Sequence, residues 1–180
     1  VLNVDETGPS VDTATAGSIS LSGAGLGTST GTPQTLALGA ATGGAGSVSG
    51  LLNLTATAGD IFVSSDAALR VKDLTTQAAT ANTVDIRSTT GKAIVFDSTG
   101  TYTNVSGSGT ANNGDALNVV STGAGGTVTF NKALDAGSIT VNAADALVLN
   151  QNLSTTAVNT SGGGAGANAV SGGVTITAAG

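Results

Sequence analysis

A short triplet, aliphatic–polar–aliphatic, recurs six times along the 180-residue chain and constrains its fold more than any other feature. The triplets start at positions 19, 52, 84, 117, 139 and 174. Every flanking position is Leu, Ile or Val, and the middle positions are all polar: Ser20, Asn53, Asp85, Asn118, Thr140 and Thr175. Alternation with a period of two is the pattern of a β-strand with one buried and one solvated face.

A second apolar run follows four of the triplets after a turn of small residues, at 61–63, 94–96, 128–130 and 147–149. Successive triplets start 33, 32, 33, 22 and 35 positions apart. The shortest spacing predicts a repeating coil of about 20 residues. The longer spacings predict the same coil with an inserted loop or a third strand.

Short strands at even spacing can also form a β-sandwich or a closed β-barrel. Those folds pair antiparallel strands and favour tight turns such as Asn-Gly. The one Asn-Gly pair, Asn113-Gly114, does not lie between two matched strands. Stacking of each copy on the one before suits the repeat better, so we predict an all-β fold, a parallel β-solenoid with loop insertions rich in Gly, Ser, Thr and Ala.

The repeats are predicted to occupy residues 17–180, with copies starting near the six triplets. Residues 1–16 are expected to be the end of a preceding coil or a linker. Neither end of the sequence carries a capping helix or a polar capping repeat, which solenoids need for solubility. We therefore expect both ends to be cuts within a longer chain or junctions between stacked subunits.

The composition excludes several classes of function. There is no His, Cys or Trp and a single Tyr, which removes most catalytic groups and any disulfide scaffold. The net charge is −6 with five Lys and Arg residues, which argues against a nucleic acid or an anionic membrane as partner. No segment of the sequence has the apolar length of a transmembrane helix.

The parallel β-helix is also a scaffold of polysaccharide lyases and hydrolases, which need two or more neighbouring carboxylates. Asp85 with Arg87, and Asp97 on a nearby strand end, are the best candidates. Weakly paired surface residues are the commoner explanation for such groups. The turn Asn-Asn-Gly-Asp at 112–115 lacks the alternating ligands of a calcium loop. We therefore predict no catalytic, metal or cofactor site.

The second apolar runs break the alternation of the triplets. If their flanking residues point inward, Phe62, Val95, Thr129 and Val148 point outward, and three of these four are apolar. A strand that is apolar on both sides is normally covered on both sides. Phe62, Val95 and Val148 are therefore predicted to form a contact face, buried by an inserted loop such as residues 28–46 or by another copy of the chain.

The repeat also predicts a register. If the copies at 52 and 84 stack directly, Asp60 and Lys92 start equivalent strands and their opposite charges favour that alignment. Leu54 is then an inward-facing residue of the aliphatic core.

The phrases Gly-Ser-Ile-Thr-Val-Asn-Ala at 137–143 and Gly-Val-Thr-Ile-Thr-Ala-Ala-Gly at 173–180 resemble the repeats of large bacterial filamentous-haemagglutinin-type adhesins. The resemblance covers nearly the whole chain from Gly17. It implies a secreted or surface-attached, right-handed parallel β-helix with a role in adhesion or extracellular matrix. The amino-terminal secretion domain of that family has no counterpart in these residues.

We therefore expect a structural segment of a bacterial fibrous β-solenoid: a stalk, a filament or a biofilm matrix element at the cell surface or outside the cell. Its expected partner is another copy of itself, along or beside the solenoid. The alternative is an adhesin module that binds a glycan or a host or matrix surface through its inserted loops. A polysaccharide-active enzyme is a distant third.

Overall fold

The computed structural model of the chain describes residues 2–4, 18–38, 51–66, 68–77, 80–89, 91–105, 114–155 and 173–179. Within these residues the regular secondary structure consists of strands: β1 (Leu2–Val4), β2 (Ser18–Gly23), β3 (Gln34–Leu38), β4 (Leu51–Ala56), β5 (Ile61–Ser65), β6 (Leu69–Thr75), β7 (Thr83–Ser88), β8 (Ile94–Thr103), β9 (Ala116–Ser121), β10 (Val128–Phe130), β11 (Leu134–Ala136), β12 (Ser138–Ala143), β13 (Leu147–Leu149), β14 (Leu153–Thr155) and β15 (Val174–Ala178). The predicted boundary between residues 16 and 17 and the loop residues 39–46 lie outside the described residues.

The strands form three sheets in which neighbouring strands are parallel. The seven-stranded sheet has the order β1-β3-β5-β7-β9-β12-β15, and the six-stranded sheet has the order β2-β4-β6-β8-β10-β13. From β1 to β10 the chain alternates strictly between these two sheets. The short strands β11 and β14 then pair with each other in a third sheet. The predicted all-β fold with parallel strands is thus confirmed.

Each strand pairs with the strand that the chain forms on its next passage through the same sheet. The number of residues between two paired strands is smallest where the connections are short. Val128 and Leu147 pair across 19 positions, and Ala116 and Ser138 pair across 22. Thr83 and Ala116 pair across 33 positions. The predicted spacing of about 20 residues for the basic unit is therefore the spacing of directly paired strands whose connections are short, and longer connections extend it to 33.

The six triplets do not all belong to one sheet. Those at 19 and 52 pair within the six-stranded sheet, and those at 84, 117, 139 and 174 pair in register within the seven-stranded sheet. The predicted direct stacking of the copies at 52 and 84 is wrong, because Leu52 pairs with Val71 and Val84 pairs with Ile61. Between positions 52 and 84 the chain makes an additional passage through β5 and β6.

The predicted alignment of Asp60 with Lys92 is wrong for the same reason. Asp60 precedes β5 in the seven-stranded sheet, whereas Lys92 precedes β8 in the six-stranded sheet. The Asp60 carboxylate instead accepts a hydrogen bond from the backbone N–H of Thr83, 2.7 Å away, at the start of β7. The charge pair that would have set the register does not form.

The core consists of rows of inward-facing side chains that run from strand to strand. Buried members of these rows include Leu52, Leu54, Ile61, Val63, Val71, Val84, Ile86, Ile94, Phe96, Leu117, Val119, Val128, Phe130, Ile139 and Val141. The rings of Phe96 and Phe130 stack with centroids 4.5 Å apart. The predicted inward face is confirmed at Leu54 and at the flanking residues of the first three apolar runs. Leu149 lies in the same inward row, in register with Phe130, but it is 46% exposed because β13 is the last strand of its sheet.

Polar side chains on neighbouring strands, or just after them, bond to each other along the stacking direction. Asn53 Nδ2 donates to Ser20 Oγ at 3.2 Å, and Asn150 Nδ2 donates to Asn131 Oδ1 at 2.7 Å. Ser154 Oγ and Asp135 Oδ1, which lie in register on β14 and β11, are 3.1 Å apart. These pairs reinforce the same register that the buried rows impose.

Leu54→Asp should destabilise the fold by about 3–5 kcal/mol, because an unpaired carboxylate would replace a fully buried side chain. Thr140→Asp is the matched control, since it places the same group at the exposed middle position of another triplet. Chemical denaturation of both variants measures the difference. Equal midpoints for Leu54→Asp and the parent would contradict the assignment of the inward face.

Candidate functional site

An irregular pairing between β6 and β8 brings several charged side chains together. Val71 pairs with Phe96, but Asp73 pairs with Thr101, so residues 97–100 of β8 lie opposite the single residue Lys72. Such a bulge leaves backbone groups without their usual ladder partners. The Asp73 carboxylate accepts a hydrogen bond from the backbone N–H of Thr101 at 3.0 Å. The bulge is therefore stabilised from within the sheet by a side chain.

Gly100 is required where the bulge closes. A Cβ atom at this position would lie 2.4 Å from the backbone oxygen of Lys72 and 3.0 Å from the hydroxyl of Tyr102. Backbone atoms cannot yield to that approach without a shift of the strand. Because Gly100 has no side chain, β8 can resume its pairing with β6 at Thr101.

Asp97 is the buried acid of this bulge. Its Oδ2 accepts a hydrogen bond from Arg70 Nε at 2.6 Å and lies 2.5 Å from Arg70 Nη2 in the same ion pair. Its Oδ1 accepts from the backbone N–H and the hydroxyl of Thr99 at 2.8 and 2.6 Å. Burial disfavours the charged form, but the hydrogen bonds from Thr99 and Arg70 outweigh it and lower the pKa of Asp97 below its ordinary value. The carboxylate is ionised and both of its oxygens are engaged.

Tyr102 lies beside this ion pair with its hydroxyl buried. Its ring packs edge-on against Phe96 with centroids 5.9 Å apart. Burial, and then the charges of Asp97 and Asp73, raise the pKa of Tyr102, so the phenol stays protonated at neutral pH. It cannot serve as a base there.

Asp85 and Arg87 form a second ion pair, on β7 of the seven-stranded sheet. Arg87 Nη2 donates to Asp85 Oδ2 at 2.9 Å, and Nε donates to Oδ1. The hydrogen bond to Asp85 raises the pKa of Arg87 despite its partial burial. Asp85 and Asp97, the candidates for a pair of catalytic carboxylates, thus lie on different sheets, and each is neutralised by its own arginine. Among the described residues, no three side chains of the metal-ligating acidic, His or Cys types gather into a possible metal site.

The predicted contact face is divided between the two large sheets. Val95 and Val148 align on the six-stranded sheet on either side of Thr129. Val95 is half-buried and Val148 is 41% exposed. Phe62 lies on the seven-stranded sheet, where it pairs with Asp85, and is 8% exposed. The three residues therefore do not share one face.

Phe62 lies opposite a loop that interrupts the pairing with β5, between the bridge of Leu26 to Ile61 and the pair of Gln34 with Val63. Its backbone N–H donates to the oxygen of Leu26 at 2.6 Å. Gly27 follows with a φ of +74°, and a Cβ there would lie 2.7 Å from the oxygen of Phe62. The chain rejoins the sheet at Gln34, which pairs with Val63. The predicted cover at 28–46 is not a single loop, because Gln34–Leu38 form β3 of the seven-stranded sheet. The part of it that lies beside Phe62 is the loop before β3.

The last strands of the two large sheets expose an apolar surface that we call the terminal edge, formed by Val148, Leu149, Val174 and Ile176. Their exposed fractions are 41%, 46%, 43% and 46%. Leu149, Val174 and Ile176 pair in register with Phe130, Ile139 and Val141, all of which are fully buried. Three of the four residues thus continue the inward rows of the core, but their side chains are exposed to solvent.

Sequence reasoning predicted uncapped ends but not the residues of the terminal edge, and it missed the Arg70–Asp97 pair. The residues of the terminal edge have the same local pattern as the core residues with which they pair, so no local signal separates them. Arg70 and Asp97 are 27 positions apart, and their meeting depends on the register of β6 against β8.

No family model matches this sequence, and neither a curated protein nor a solved structure matches it. The described part of the chain contains no helix of the length and apolarity needed to cross a membrane.

Asp97→Asn should lower stability at pH 7 by about 1–2 kcal/mol, because it removes a charged acceptor from Arg70 and Thr99. The pKa of Asp97 is lowered in the folded state. The ionised carboxylate therefore contributes fully to folding stability above the ordinary value of 3.8, and this contribution is lost as the pH falls through the folded-state pKa. The gap between variant and parent should therefore shrink in acid.

Thermal denaturation between pH 2 and pH 7 measures that gap. Asp145→Asn, which changes an exposed carboxyl, serves as the control for general charge effects. A gap of constant size across this range would contradict the assigned ionisation of Asp97.

Proposed function

We propose that this chain is a structural segment of a secreted or surface-attached bacterial fibrous protein: a stalk, a filament or an extracellular matrix element. The observation that carries the proposal is the pairing of every successive passage of the chain with the passage before it, through two long parallel sheets. A chain built this way extends in one direction as passages are added. Such an elongating stack of strands suits a mechanical role as a stalk or filament.

The finer fold that we propose is a right-handed parallel β-helix. Strict alternation between two sheets, with each strand parallel to the next in its own sheet, is the connectivity of a continuous coil. Crossovers between parallel strands of one sheet are right-handed in about 98% of cases. The resemblance of residues 137–143 and 173–180 to filamentous-haemagglutinin-type repeats supports the same proposal.

The charged residues support a structural role over a catalytic one. Asp85 and Asp97, the acids that a polysaccharide-active enzyme would use, are each bonded to a neighbouring arginine. A general acid needs a proton to give at the working pH, and a nucleophile needs an unengaged oxygen. We therefore propose that the chain is not an enzyme.

The alternative function is recognition of a glycan or of a host or matrix surface by the inserted loops. The described loop at 27–33 carries hydroxyl groups that bond to each other: Thr28 with Thr32, and Ser29 Oγ with Thr32 Oγ1 at 2.9 Å. Sugar-binding surfaces commonly offer an aromatic ring for stacking, and this loop contains none. This loop therefore favours the structural role.

The partner that we propose is another copy of the chain, along or beside the stack, at the bacterial surface or outside the cell. The terminal edge supports self-association of the 180-residue chain as given, because exposed aliphatic rows suit a further layer with the same pattern. The net charge of −6 disfavours a nucleic acid.

Electron microscopy and fibre diffraction of the purified full chain test the structural role. We expect elongated particles whose strands lie across the long axis and repeat at about 4.8 Å along it. Compact particles without that axial repeat would contradict the proposal. Binding of the chain to a defined sugar on an oligosaccharide array would favour the adhesin alternative.

Ile176→Lys should weaken self-association at least tenfold, because it places a charge in the apolar row of the terminal edge. Thr175→Lys is the matched control, since it adds the same charge to the opposite face of the same strand. Sedimentation velocity over a range of concentrations measures both variants, and circular dichroism verifies their folding. Equal association of the two variants would show that the terminal edge is not the contact.

A further inference from the structure

A row of outward-facing side chains crosses five strands of the six-stranded sheet. Its members, which we call the outer row, pair in register from β4 to β13: Leu51, Arg70, Val95, Thr129 and Val148. Leu51, Val95 and Thr129 are half-buried, and Arg70 and Val148 are exposed. Because paired strands lie about 4.8 Å apart, the outer row extends for about 19 Å along the stacking direction. The outside of this sheet therefore presents a line of three aliphatic side chains, separated by Arg70 and Thr129.

The charge of Arg70 is compensated within the chain. Its side chain is 45% exposed, and its Nε and Nη2 contact Oδ2 of the buried Asp97. The Nη1 group takes no part in that contact and carries N–H donors of its own. The outer row therefore has no net charge, although the chain carries −6, and it keeps a hydrogen-bond donor for a partner.

A polar border lies beside the outer row. Two positions after each member of the outer row the sequence has a polar residue: Asn53, Lys72, Asp97, Asn131 and Asn150. Residues two apart in an extended chain point to the same side, so this border shares the outer face of the sheet. An apolar centre with a polar rim is the usual anatomy of a protein contact surface.

The order of side chains in the outer row is self-complementary. It reads aliphatic, Arg, aliphatic, Thr, aliphatic, so a second copy with the opposite stacking direction would place the partner's Thr129 against Arg70. Val95 would then face the partner's Val95, and Leu51 would face the partner's Val148. A second copy with the same stacking direction would instead place two arginines against each other. A two-fold contact needs a surface that complements itself, and only the opposite direction provides one here.

We propose that two copies of the chain pack side by side through their outer rows, with opposite stacking directions. Arg70 Nη1 of each copy donates to the hydroxyl of the partner's Thr129, and the aliphatic members pack between these bonds. The two sheets lie about 10 Å apart, the distance usual for sheets packed face to face. This inference rests on the proposed structural role and adds to it a contact beside the stack.

The contact between two single chains is weak. Five side chains cover less than the roughly 800 Å² per partner that stable complexes bury. In a longer stack the same contact recurs along the axis, and its contributions add. Measurements on the single chain therefore need concentrations up to the millimolar range.

Sedimentation velocity of the Ile176→Lys chain tests the proposal, because that substitution weakens contact through the terminal edge. In this background Thr129→Lys should weaken association at least tenfold, since each added cation faces the partner's Arg70. Thr129→Glu should strengthen association at least threefold, since each added carboxylate faces the same arginine. The general charge effect has the opposite sign, because a negatively charged chain repels its copies less with an added Lys and more with an added Glu. Thr140→Lys and Thr140→Glu, on the seven-stranded sheet, measure that general effect.

Each other outcome overturns the proposal. Weaker association of both Thr129 variants would indicate the same stacking direction, in which Thr129 faces itself. Thr129 variants that follow the Thr140 variants would show that the outer row is not a contact. An Ile176→Lys chain that stays monomeric at millimolar concentration would exclude the contact beside the stack, whereas the axial repeat in fibre diffraction tests the structural role separately.

Val95→Lys provides a second measurement at the centre of the contact. The two added charges would face each other across the two-fold axis, so we expect association to fall at least tenfold. Circular dichroism verifies the folding of every variant. Unchanged association of a folded Val95→Lys chain would overturn the proposal.

Discussion

Parallel, in-register pairing of each passage of the chain with the next is the interaction on which the rest of the structure depends. Two parallel strands cannot be joined by a tight turn, so a long connection must separate them, and in this chain that connection passes through another sheet. Each return places an aliphatic residue over an aliphatic residue, as Ile139 does over Leu117 and Val174 over Ile139. Both the buried rows and the outward polar pairs follow from this one register.

Aspartate side chains satisfy the backbone where the ladder is interrupted. Asp60 and Asp115 accept from backbone N–H groups at the beginning of β7, and Asp73 and Asp97 accept from those of the bulge in β8. The short side chain of Asp can reach a backbone group close to it, as it does in turns. This use accounts for the excess of Asp over Glu, of which Glu6 is the single example.

The described ion pairs and buried carboxyls bond to neighbouring strands and connections of the fold. This use of the charged residues favours a structural role over a catalytic one. Arg70 and Arg87 each bond to a buried acid on the sheets. Burial acts to raise the pKa of both Asp97 and Asp115; at Asp97 the hydrogen bonds from Thr99 and Arg70 outweigh burial and lower the pKa, whereas at Asp115 burial prevails, with the charge of Asp60 adding to it, and the pKa is raised. What the described chain offers to a partner is its terminal edge, its outer row and its hydroxyl-rich loop. All three are surfaces for contact, which agrees with the structural role we propose.

The sequence by itself predicted strands at the six triplets and the four apolar runs, and it predicted which side chains of most of these strands point inward, because period-two alternation is a local property of an extended chain. The repetition of the triplet predicted parallel pairing. The short strands β11 and β14 lie outside that pattern and were not predicted. The tertiary structure alone decided which sheet each triplet joins. Spacings of 32 and 33 residues look alike in the sequence, yet Leu52 and Val84 belong to different sheets whereas Val84 and Leu117 pair directly. The length of the connections sets how many passages separate two triplets. The same long-range register brings Arg70 to Asp97 and Asn82 to Asp115. Val174 and Ile176 have the pattern of the core but are exposed, because β15 is the last strand of its sheet.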